Sequence, residues 1–259
     1  MTLRTLQVSR YVTPLREGGS LPAIVEGSDQ GLYVLKFHGA GQGPRVLVAE
    51  LLAGELARAL GLPVPEIVFM ELDADLARTE PDGEIQDLIR ASAGLNLALD
   101  YLPGSVTFDP VADVADADLA SRIVWFDAYV SNLDRTARNA NMLMWHRKLW
   151  LIDHGAAFYF QHGWDGSDRA ADAFPLIRNH VLLRSASALE EADAGLSSIL
   201  TPETLREIVE QLPEAWLAGP GAFGAPASLR EAYASHLWRR LQAPRPFLQE
   251  ALRARAQLV

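Results

Sequence analysis

Two short segments near the N-terminus are apolar and β-prone, which predicts strands. Residues 23–27 and 32–37 are rich in β-prone side chains, and Ser-Asp-Gln-Gly at 28–31 is typical of a turn between them. Alternation divides the second segment into two faces, one with Leu32, Val34 and Lys36 and the other with Tyr33, Leu35 and Phe37. A lysine inside such a strand needs a reason, so Lys36 is a candidate functional residue.

The apolar pattern then changes to helical spacing. From Arg45 to Leu60, apolar residues recur every three or four positions, and Gly61 and Pro63 are typical of a helix end. A further strand is predicted over residues 65–72, and an apolar segment at residues 95–102 ends at a Pro-Gly pair. The first part of the chain is therefore predicted to contain several strands and one strong helix.

The later part of the chain is predicted to be mainly helical. The acidic, alanine-rich stretch DPVADVADADLA indicates a surface connection that leads into a helix over residues 118–132. Residues 141–152 indicate a tight hairpin, and most of 175–259 follows helical periodicity, with Thr201-Pro202 as a helix start. We therefore predict a strand-rich unit over residues 1–103 and a helix-rich unit over 104–259, with a ligand cleft between them.

Composition narrows the classes of function. The chain has 259 residues, of which 49% are hydrophobic and 22% charged, as in globular proteins that bury a sizeable core. It has no cysteine, which excludes disulfides, thiolate zinc sites and cysteine nucleophiles and agrees with a cytoplasmic location. A net charge of −10 without a basic cluster argues against direct binding of nucleic acid or membranes. The first residues lack a secretion signal, and no apolar run is long enough to span a bilayer.

Polar residues concentrate around the predicted hairpin, in residues 132–155. If Trp145 pairs with Lys148, antiparallel register places Asp153 opposite residue 140, with Asn139 and Asn141 on either side. Asp134 lies in the loop that precedes the hairpin. Carboxylate and amide oxygens are the ligands that magnesium prefers, so an oxygen-rich metal pocket is predicted at the open end of the hairpin.

Two motifs in this region resemble those of protein kinases. The spacing Asp134-x-x-x-x-Asn139, then a hairpin and Asp153-His154-Gly155, is similar to the kinase catalytic loop and metal-binding turn. More closely, DRTARNANML and LWLIDHGAA, together with YVLKF and AELLAGELARALGLPVPE, resemble the HipA-like kinase family over residues 15–165. This family comprises bacterial relatives of the serine/threonine and phosphatidylinositol kinases. The resemblance implies an α+β, bilobal kinase-like fold with a strand-rich N-lobe and a mainly helical C-lobe.

The resemblance also implies roles for individual residues. Asp134 would accept or orient the proton of the attacking hydroxyl, while Asn139 and Asp153 would hold Mg²⁺. Lys36 would contact the phosphates of ATP, and Glu50 would orient it, with Glu55 as the competing choice.

A glycine-rich turn is a further candidate for binding ATP. Backbone N–H groups at Gly18, Gly19 and Ser20 could cap the phosphates, although the segment does not form a full Gly-x-Gly-x-x-Gly motif and a flexible turn is the alternative. Arg135 and Arg138 are expected either to contact phosphates or an acidic substrate, or to face water. Asp127 and Asn132 are expected to brace the catalytic loop from the preceding helix.

The sequence departs from the kinase pattern at two positions. Asn-Leu-Asp stands where many kinases have His-Arg-Asp, and His154 stands where many have phenylalanine, but neither change removes a metal ligand. The leading hypothesis is an ATP- and Mg²⁺-dependent kinase of protein serine or threonine. A small-molecule kinase and a nucleotide-binding regulator with little transfer activity are the alternatives. A small regulatory protein partner is also implied. We expect this chain to lack the extra N-terminal subdomain of the longer family members, which argues against that partner.

Overall fold

The first hundred residues form a five-stranded barrel. The computed structural model describes residues 3–15, 21–41, 43–218 and 224–258. The barrel has the strand order β1–β2–β3–β5–β4, with β1 (Thr5–Pro14), β2 (Ala23–Gly27), β3 (Leu32–Lys36), β4 (Ile67–Leu72) and β5 (Gly94–Asp100). Neighbours are antiparallel except β1 and β4, whose parallel pairing closes the barrel. The predicted strands β2, β3 and β4 are confirmed to within a few residues, and the apolar segment at residues 95–102, to which the sequence assigned no element, contributes β5.

Strand β1 and the segment between β4 and β5 were not assigned from sequence. Most side chains of β1 are exposed or half-buried, so the strand lacks a clear apolar alternation. After β4 come a 3₁₀ helix (Ala74–Thr79) and helix α2 (Gly83–Ala91), each begun by an aspartate whose carboxylate accepts a backbone N–H. Their apolar residues Ala77, Ile85 and Ile89 belong to the same hydrophobic cluster as the barrel interior.

Helix α1 (Pro44–Ala59) runs between the barrel and the rest of the protein. Pro44, one residue before the predicted start, stands in its first turn. Gly61 follows its end with φ of 69°, so the predicted helix end is confirmed. Every residue from Leu47 to Ala57 is buried. A helix that is buried on all sides lies inside a protein rather than on its surface, which places any polar side chain of α1 in an internal environment.

The predicted hairpin is confirmed with its register. Strands β7 (Met142–Trp145) and β8 (Lys148–Leu151) pair Trp145 with Lys148 across a turn in which His146 and Arg147 have φ of 47° and 62°. The two-residue strand β6 (Val106–Thr107), which the sequence did not reveal, adds to β7. Helix α3 (Ala117–Tyr129) precedes the hairpin and is capped by Asp116.

Helices dominate the remainder, as predicted. They are α4 (Leu189–Leu196), α5 (Pro202–Glu210), α6 (Glu214–Leu217), α7 (Pro226–Arg240) and α8 (Pro246–Ala256), preceded by 3₁₀ helices at Tyr159–Gly163 and Pro175–Asn179. Thr201 caps α5 through Thr204 N–H, which confirms the helix start read from the sequence. Across the described ranges, no helix is long and apolar enough to cross a membrane.

Buried apolar residues form two clusters. The smaller fills the barrel, and the larger combines α1 with α3, the hairpin and the C-terminal helices. The mixed helix and strand content agrees with the predicted α+β class. The division into lobes at residue 103 stays a prediction, since α1 contributes to the larger cluster.

Candidate active site

The lysine of β3 lies in a buried cluster of opposite charges. Lys36 Nζ donates to Glu50 Oε2 of α1 at 2.8 Å and to Asp153 Oδ1, just after β8, at 2.5 Å. The side chains of Lys36 and Glu50 are 10% and 0% exposed, whereas that of Asp153 is 49% exposed. Three segments that are distant in sequence therefore meet at one ammonium group, at the border between barrel and α1.

The charges of this cluster stabilise one another. Burial favours the neutral amine of Lys36, but the carboxylates of Glu50 and Asp153 outweigh it and raise the pKa of Lys36. Burial would raise the pKa of Glu50, but the Lys36 ammonium and the nearby His154 lower that pKa well below its usual range. Lys36 and Glu50 are therefore both charged at neutral pH.

The structure decides between the two glutamates of α1. Glu50 faces Lys36, while Glu55 accepts from Arg58 Nη1 at 2.5 Å on the same helix. Five residues on an α-helix correspond to about 140° of rotation, so the two side chains point in different directions. The contact is the one that the sequence favoured, and the role of Glu50 in orienting Lys36 for phosphate binding stays a prediction.

The turn after β8 brings Asp153 to the cluster. Ile152 N–H donates to the Asn141 carbonyl at 3.1 Å, which continues the hairpin register toward Asp153. Asp153 itself has φ of 54°. At Gly155, a Cβ atom would lie 2.6 Å from Val46 Cγ1 of α1. Only glycine lets α1 approach this turn so closely, and that approach places Glu50 beside Asp153.

His154, between these two residues, is fully buried. Its Nδ1 is 3.6 Å from Glu50 Oε1, beyond ordinary hydrogen-bond distance, and its ring packs edge-on against Phe126 at 6.0 Å between centroids. Neither ring nitrogen has a hydrogen-bond partner among the residues that the structure describes. The position agrees with a structural role for this residue, as the sequence suggested.

The loop before β7 holds the second group of predicted residues. Asn139 Nδ2 donates to Asp134 Oδ2 at 3.0 Å, and Asp134 N–H donates to Asn132 Oδ1 at 3.3 Å. Asp134 is half-buried and Asn139 is exposed, so both side chains are accessible from solvent. The predicted base and one predicted metal ligand are thus directly in contact.

Asn141 connects the two groups. Its Nδ2 lies 3.4 Å from the carbonyl oxygen of Asp134 and 3.5 Å from that of Asp153, and its side chain is buried. The sequence left open whether Asn141 is a second metal contact or a hydrogen-bonding residue at the start of the strand. Its amide faces backbone carbonyls, which agrees with the second interpretation.

Asp127 of α3 holds the loop before β7 from the protein interior. It is fully buried and accepts from Asn132 Nδ2 at 2.9 Å and from Arg135 Nε at 2.6 Å. His180 Nε2 lies 2.8 Å from the same carboxylate, and its Nδ1 accepts from Leu182 N–H, which assigns the Nε2–H tautomer to the neutral ring. The predicted bracing by Asp127 and Asn132 is confirmed.

We call Asp127 and its partners Asn132, Arg135 and His180 the Asp127 hub. Burial and charge determine the protonation of this hub. Burial would raise the pKa of Asp127, but Arg135 and His180 lower it well below its ordinary value. Burial also lowers the pKa of His180 by more than Asp127 raises it. The hub therefore pairs one carboxylate with one guanidinium, and the neutral imidazole donates an additional hydrogen bond.

Two residues of the hub were assigned wrongly or missed in the sequence. Arg135 was expected to contact phosphates or an acidic substrate, or to face water, but it is 1% exposed and donates to Asp127 and to the Asn141 carbonyl. Arg138 is exposed, which agrees with the expectation that it faces water. His180 was missed, because it lies 53 residues after Asp127 and no local pattern links the two.

Three predicted residues cannot be placed. Gly18, Gly19 and Ser20, the predicted phosphate-capping turn, lie outside the described residues. Over the described ranges, no group of three or more His, Cys, Asp or Glu residues could hold a metal ion. The predicted cation ligands are Asn139 and Asp153, which would supply an amide oxygen and a carboxylate, with phosphate oxygens to complete the set.

The side-chain oxygens of Asn139 and Asp153 are of the type that magnesium prefers as ligands. Since the Nδ2 of Asn139 donates to Asp134, its Oδ1 is the acceptor left for other partners. Only Oδ1 of Asp153 is bonded to Lys36, and the side chain is 49% exposed. Hard oxygen atoms on an open face match an ion that retains water and shares phosphate oxygens.

Comparison with known proteins finds kinases. A model of the HipA-like kinase family matches residues 8–246. The proinflammatory kinase CtkA of Helicobacter pylori superposes with a TM-score of 0.54 at 12% identity, covering 92% of this chain and 95% of that chain. The Golgi casein kinase with Mn/ADP bound superposes with a TM-score of 0.50 at 13% identity, covering 98% of this chain and 73% of that chain. No curated protein matches. At these identities the structural likeness concerns the fold.

Proposed function

Because this chain belongs to the HipA-like kinase family, we propose that it is an ATP- and Mg²⁺-dependent kinase that phosphorylates a serine or threonine hydroxyl of a protein. The observation that carries this proposal is the cluster of Lys36, Glu50 and Asp153, held by contacts of 2.8 and 2.5 Å. A lysine ammonium held by two carboxylates beside an oxygen-rich loop has the chemistry needed to bind a magnesium-bound triphosphate.

Lys36 has the capacity to bind phosphate without leaving its partners. An ammonium group has three N–H donors, of which one reaches Glu50 and one reaches Asp153. The third is left for a phosphate oxygen. The buried carboxylate of Glu50 keeps the ammonium charged and fixes its direction, so that binding a nucleotide requires little rearrangement.

Asp134 is proposed as the general base. Asn139 holds its Oδ2 at 3.0 Å, and Asn132 and Asp127 support the loop from the core. The carboxylate is therefore oriented but still half-accessible, so that it can accept the proton of an incoming hydroxyl.

Asn139 and Asp153 are proposed to hold the cation, through the amide oxygen and the carboxylate that face away from the core. A magnesium ion bound there would neutralise negative charge on the phosphate oxygens. The protein contributes the position of these ligands: the hairpin fixes Asp153, and the hydrogen bond to Asp134 orients Asn139.

The experiment that tests the proposal is incubation of the purified protein with [γ-³²P]ATP and Mg²⁺, alone and with candidate acceptor proteins. Mass spectrometry then locates the labelled residue. Label on a serine or threonine supports the proposal, and chelation of the metal should abolish it. No transfer to any protein, together with unchanged ATP, would contradict it. Binding of ATP without turnover would instead indicate a nucleotide-binding regulator.

A second acceptor class is favoured by the charge of the molecule. The net charge of −10 attracts cations, so a small cationic alcohol is the alternative acceptor for the same site. Label released in a small-molecule fraction, with none on protein, would identify this alternative. Regulation by a small protein partner stays a prediction from the family resemblance.

A further inference from the structure

The start of α1 is joined to the segment after Gly155 by two reciprocal hydrogen bonds. Arg45 Nη1 donates to the Gln161 carbonyl at 2.8 Å, and Gln161 Nε2 donates to the Arg45 carbonyl at 3.1 Å. The two residues are 116 positions apart in sequence. Such a pair of bonds ties the first turn of α1 to the 3₁₀ helix Tyr159–Gly163.

Gln161 is itself held from a third element. Its Oε1 accepts from Tyr233 Oη of α7 at 2.8 Å. Both side chains are buried, with residue exposures of 3% and 4%. The Tyr233 ring is fixed by edge-on contacts with Phe158 at 6.1 Å and Trp164 at 5.2 Å between centroids. A buried amide whose oxygen and nitrogen are both bonded has little freedom to move, because each broken bond would leave a buried polar atom unsatisfied.

The chain between Asp153 and Gln161 is short and internally bonded. Ala157 N–H donates to the His154 carbonyl at 2.9 Å, Phe158 N–H to the Val130 carbonyl at 2.8 Å, and Gln161 N–H to the Phe158 carbonyl at 2.7 Å. The first and third bonds form turns within the segment, and the second joins the segment to the end of α3. The position of Gln161 is therefore set relative to the Asp153–Gly155 turn and the end of α3.

One face of α1 lies along this segment. Val46 and Glu50 are four residues apart and share a face of the helix. Val46 packs at Gly155, and Glu50 lies beside Lys36 and His154. Arg45 is in the same first turn of α1 as Val46. Hydrogen bonds at Arg45 therefore fix how far α1 is shifted along its axis and rotated about it, and with this the position of Glu50.

We propose that Gln161, held by Tyr233, is a positioning residue that keeps Glu50 on Lys36 by anchoring the first turn of α1. The inference rests on the proposed function for its catalytic consequence, because Lys36 and Glu50 contribute to catalysis only if the protein transfers phosphate from ATP. The anchor itself is a property of the protein without nucleotide. It makes the geometry of the Lys36 site depend on α7, in the C-terminal part of the chain.

The test compares Gln161→Leu and Tyr233→Phe with a matched control, Tyr129→Phe. Tyr233→Phe removes only a hydroxyl and keeps the ring. Tyr129 is also buried, and its hydroxyl also bonds a residue of α7, but its partner is the Leu237 carbonyl at 3.0 Å instead of Gln161. The control therefore loses an equally buried tyrosine hydrogen bond in another place.

Hydrogen exchange of the full chain without nucleotide measures the anchor directly. We expect the amides of residues 48–52 to exchange about tenfold faster in Gln161→Leu and Tyr233→Phe, since a local opening loses a buried hydrogen bond. The control should leave these amides unchanged. Unchanged exchange in both variants would overturn the inference, and so would an increase spread equally over α1 and α8, because that would indicate lower global stability instead of a lost anchor.

Kinetics measure the link to Glu50. In Gln161→Leu we expect KM for ATP to rise about tenfold with a smaller change in kcat, and the double variant with Glu50→Gln to be no worse than Glu50→Gln alone. Losses that multiply would show that Gln161 acts independently of Glu50. A wild-type protein that does not turn over ATP would contradict the proposed function, while the exchange result would still decide whether Gln161 anchors α1.

Discussion

Buried charges surround the loop and the turn that the sequence predicted as catalytic. Lys36 is paired with Glu50, and Arg135 is paired with Asp127. Arg240 of α7 is also buried, and it donates to the carbonyls of Tyr129 and Ala128 at the end of α3, at 2.7 and 3.0 Å. Charges are buried only where partners compensate their loss of hydration, so each of these residues holds a neighbouring segment in place.

The carboxylate of Asp134 offers the most direct single-residue prediction. Asp134→Asn keeps the size of the side chain and the position of the loop but removes the proton acceptor. We expect the rate of phosphoryl transfer to fall by about 10²- to 10⁴-fold while the affinity for ATP changes little. Steady-state kinetics and ATP titration by calorimetry measure the two quantities. A variant with normal turnover would show that another group accepts the proton.

His236 of α7 predicts a pH dependence of stability. Its ring is buried against Phe160 and Trp164, at 4.7 and 5.8 Å between centroids. Burial, and then the charge of Arg240, lowers the pKa of His236 to about 3. The unfolded chain binds a proton near pH 6.5 and the folded protein does not, so stability is lost as the pH falls from about 6.5 toward 3.

We expect the His236 imidazole to lower the free energy of unfolding by about 2 kcal/mol between pH 7 and pH 5. His236→Phe keeps an aromatic ring and should lack this part of the loss, which urea unfolding at both pH values would measure. The depressed pKa values of Glu50 and Asp127 contribute stability that is lost mainly below pH 4.5, the ordinary pKa of Glu50, and this loss is common to both proteins. Equal pH dependence in both proteins would contradict the prediction.

At the scale of elements, the contact between α1 and the turn after β8 decides the geometry of the site. Since a Cβ at position 155 would lie 2.6 Å from Val46 Cγ1, Gly155→Ala must displace the Val46 side chain, α1 or the turn. We expect a loss of about 1–3 kcal/mol in stability and weaker ATP binding, because Glu50 moves with the helix.

The matched control for this element is Gly163→Ala, at the end of the 3₁₀ helix. A Cβ at that position would meet no atom within 4 Å. Thermal unfolding and ATP titration of both variants measure the difference. If Gly155→Ala binds ATP as tightly as the control does, the close approach of α1 is not needed for the site.

At the scale of the whole molecule, the site lies where the two hydrophobic clusters meet. Lys36 belongs to a barrel strand, while Glu50 and Asp153 belong to elements that border the larger cluster. A ligand that contacts all three residues therefore stabilises the native arrangement of both clusters. This position makes ligand-dependent stability a sensitive test of binding.

We expect ATP with Mg²⁺ to raise the unfolding temperature, since a ligand at about 100 times its Kd adds about 2.7 kcal/mol. ATP with a chelator should raise it less. Asp153→Ala should lose the difference between the two conditions, because it removes a carboxylate ligand for the cation. Thermal shift measurements give both results, and a variant that retains the full metal dependence would exclude Asp153 as a ligand.

The sequence by itself determined the local elements of this protein. The register of β7 and β8, the start of α5 at Thr201 and the end of α1 before Gly61 follow from strand pairing, turn residues and helix caps. These signals are local, because they depend on side chains within a few positions of one another. Strand β1 was not predicted because its apolar alternation is weak. Helix α2 was not predicted although Asp82 caps its start, because the helix is short and only Ile85 and Ile89 are buried.

The tertiary structure alone decided which polar residues meet. Glu50 and Glu55 lie on the same helix, and only the rotation of α1 against the barrel brings Glu50 to Lys36. The sequence places Arg135 in a loop, yet its side chain is buried and donates hydrogen bonds to Asp127 and to the Asn141 carbonyl. Such partners are separated by the chain but joined by packing, and burial makes their pairing obligatory, because an unpaired charge in the interior would cost several kcal/mol.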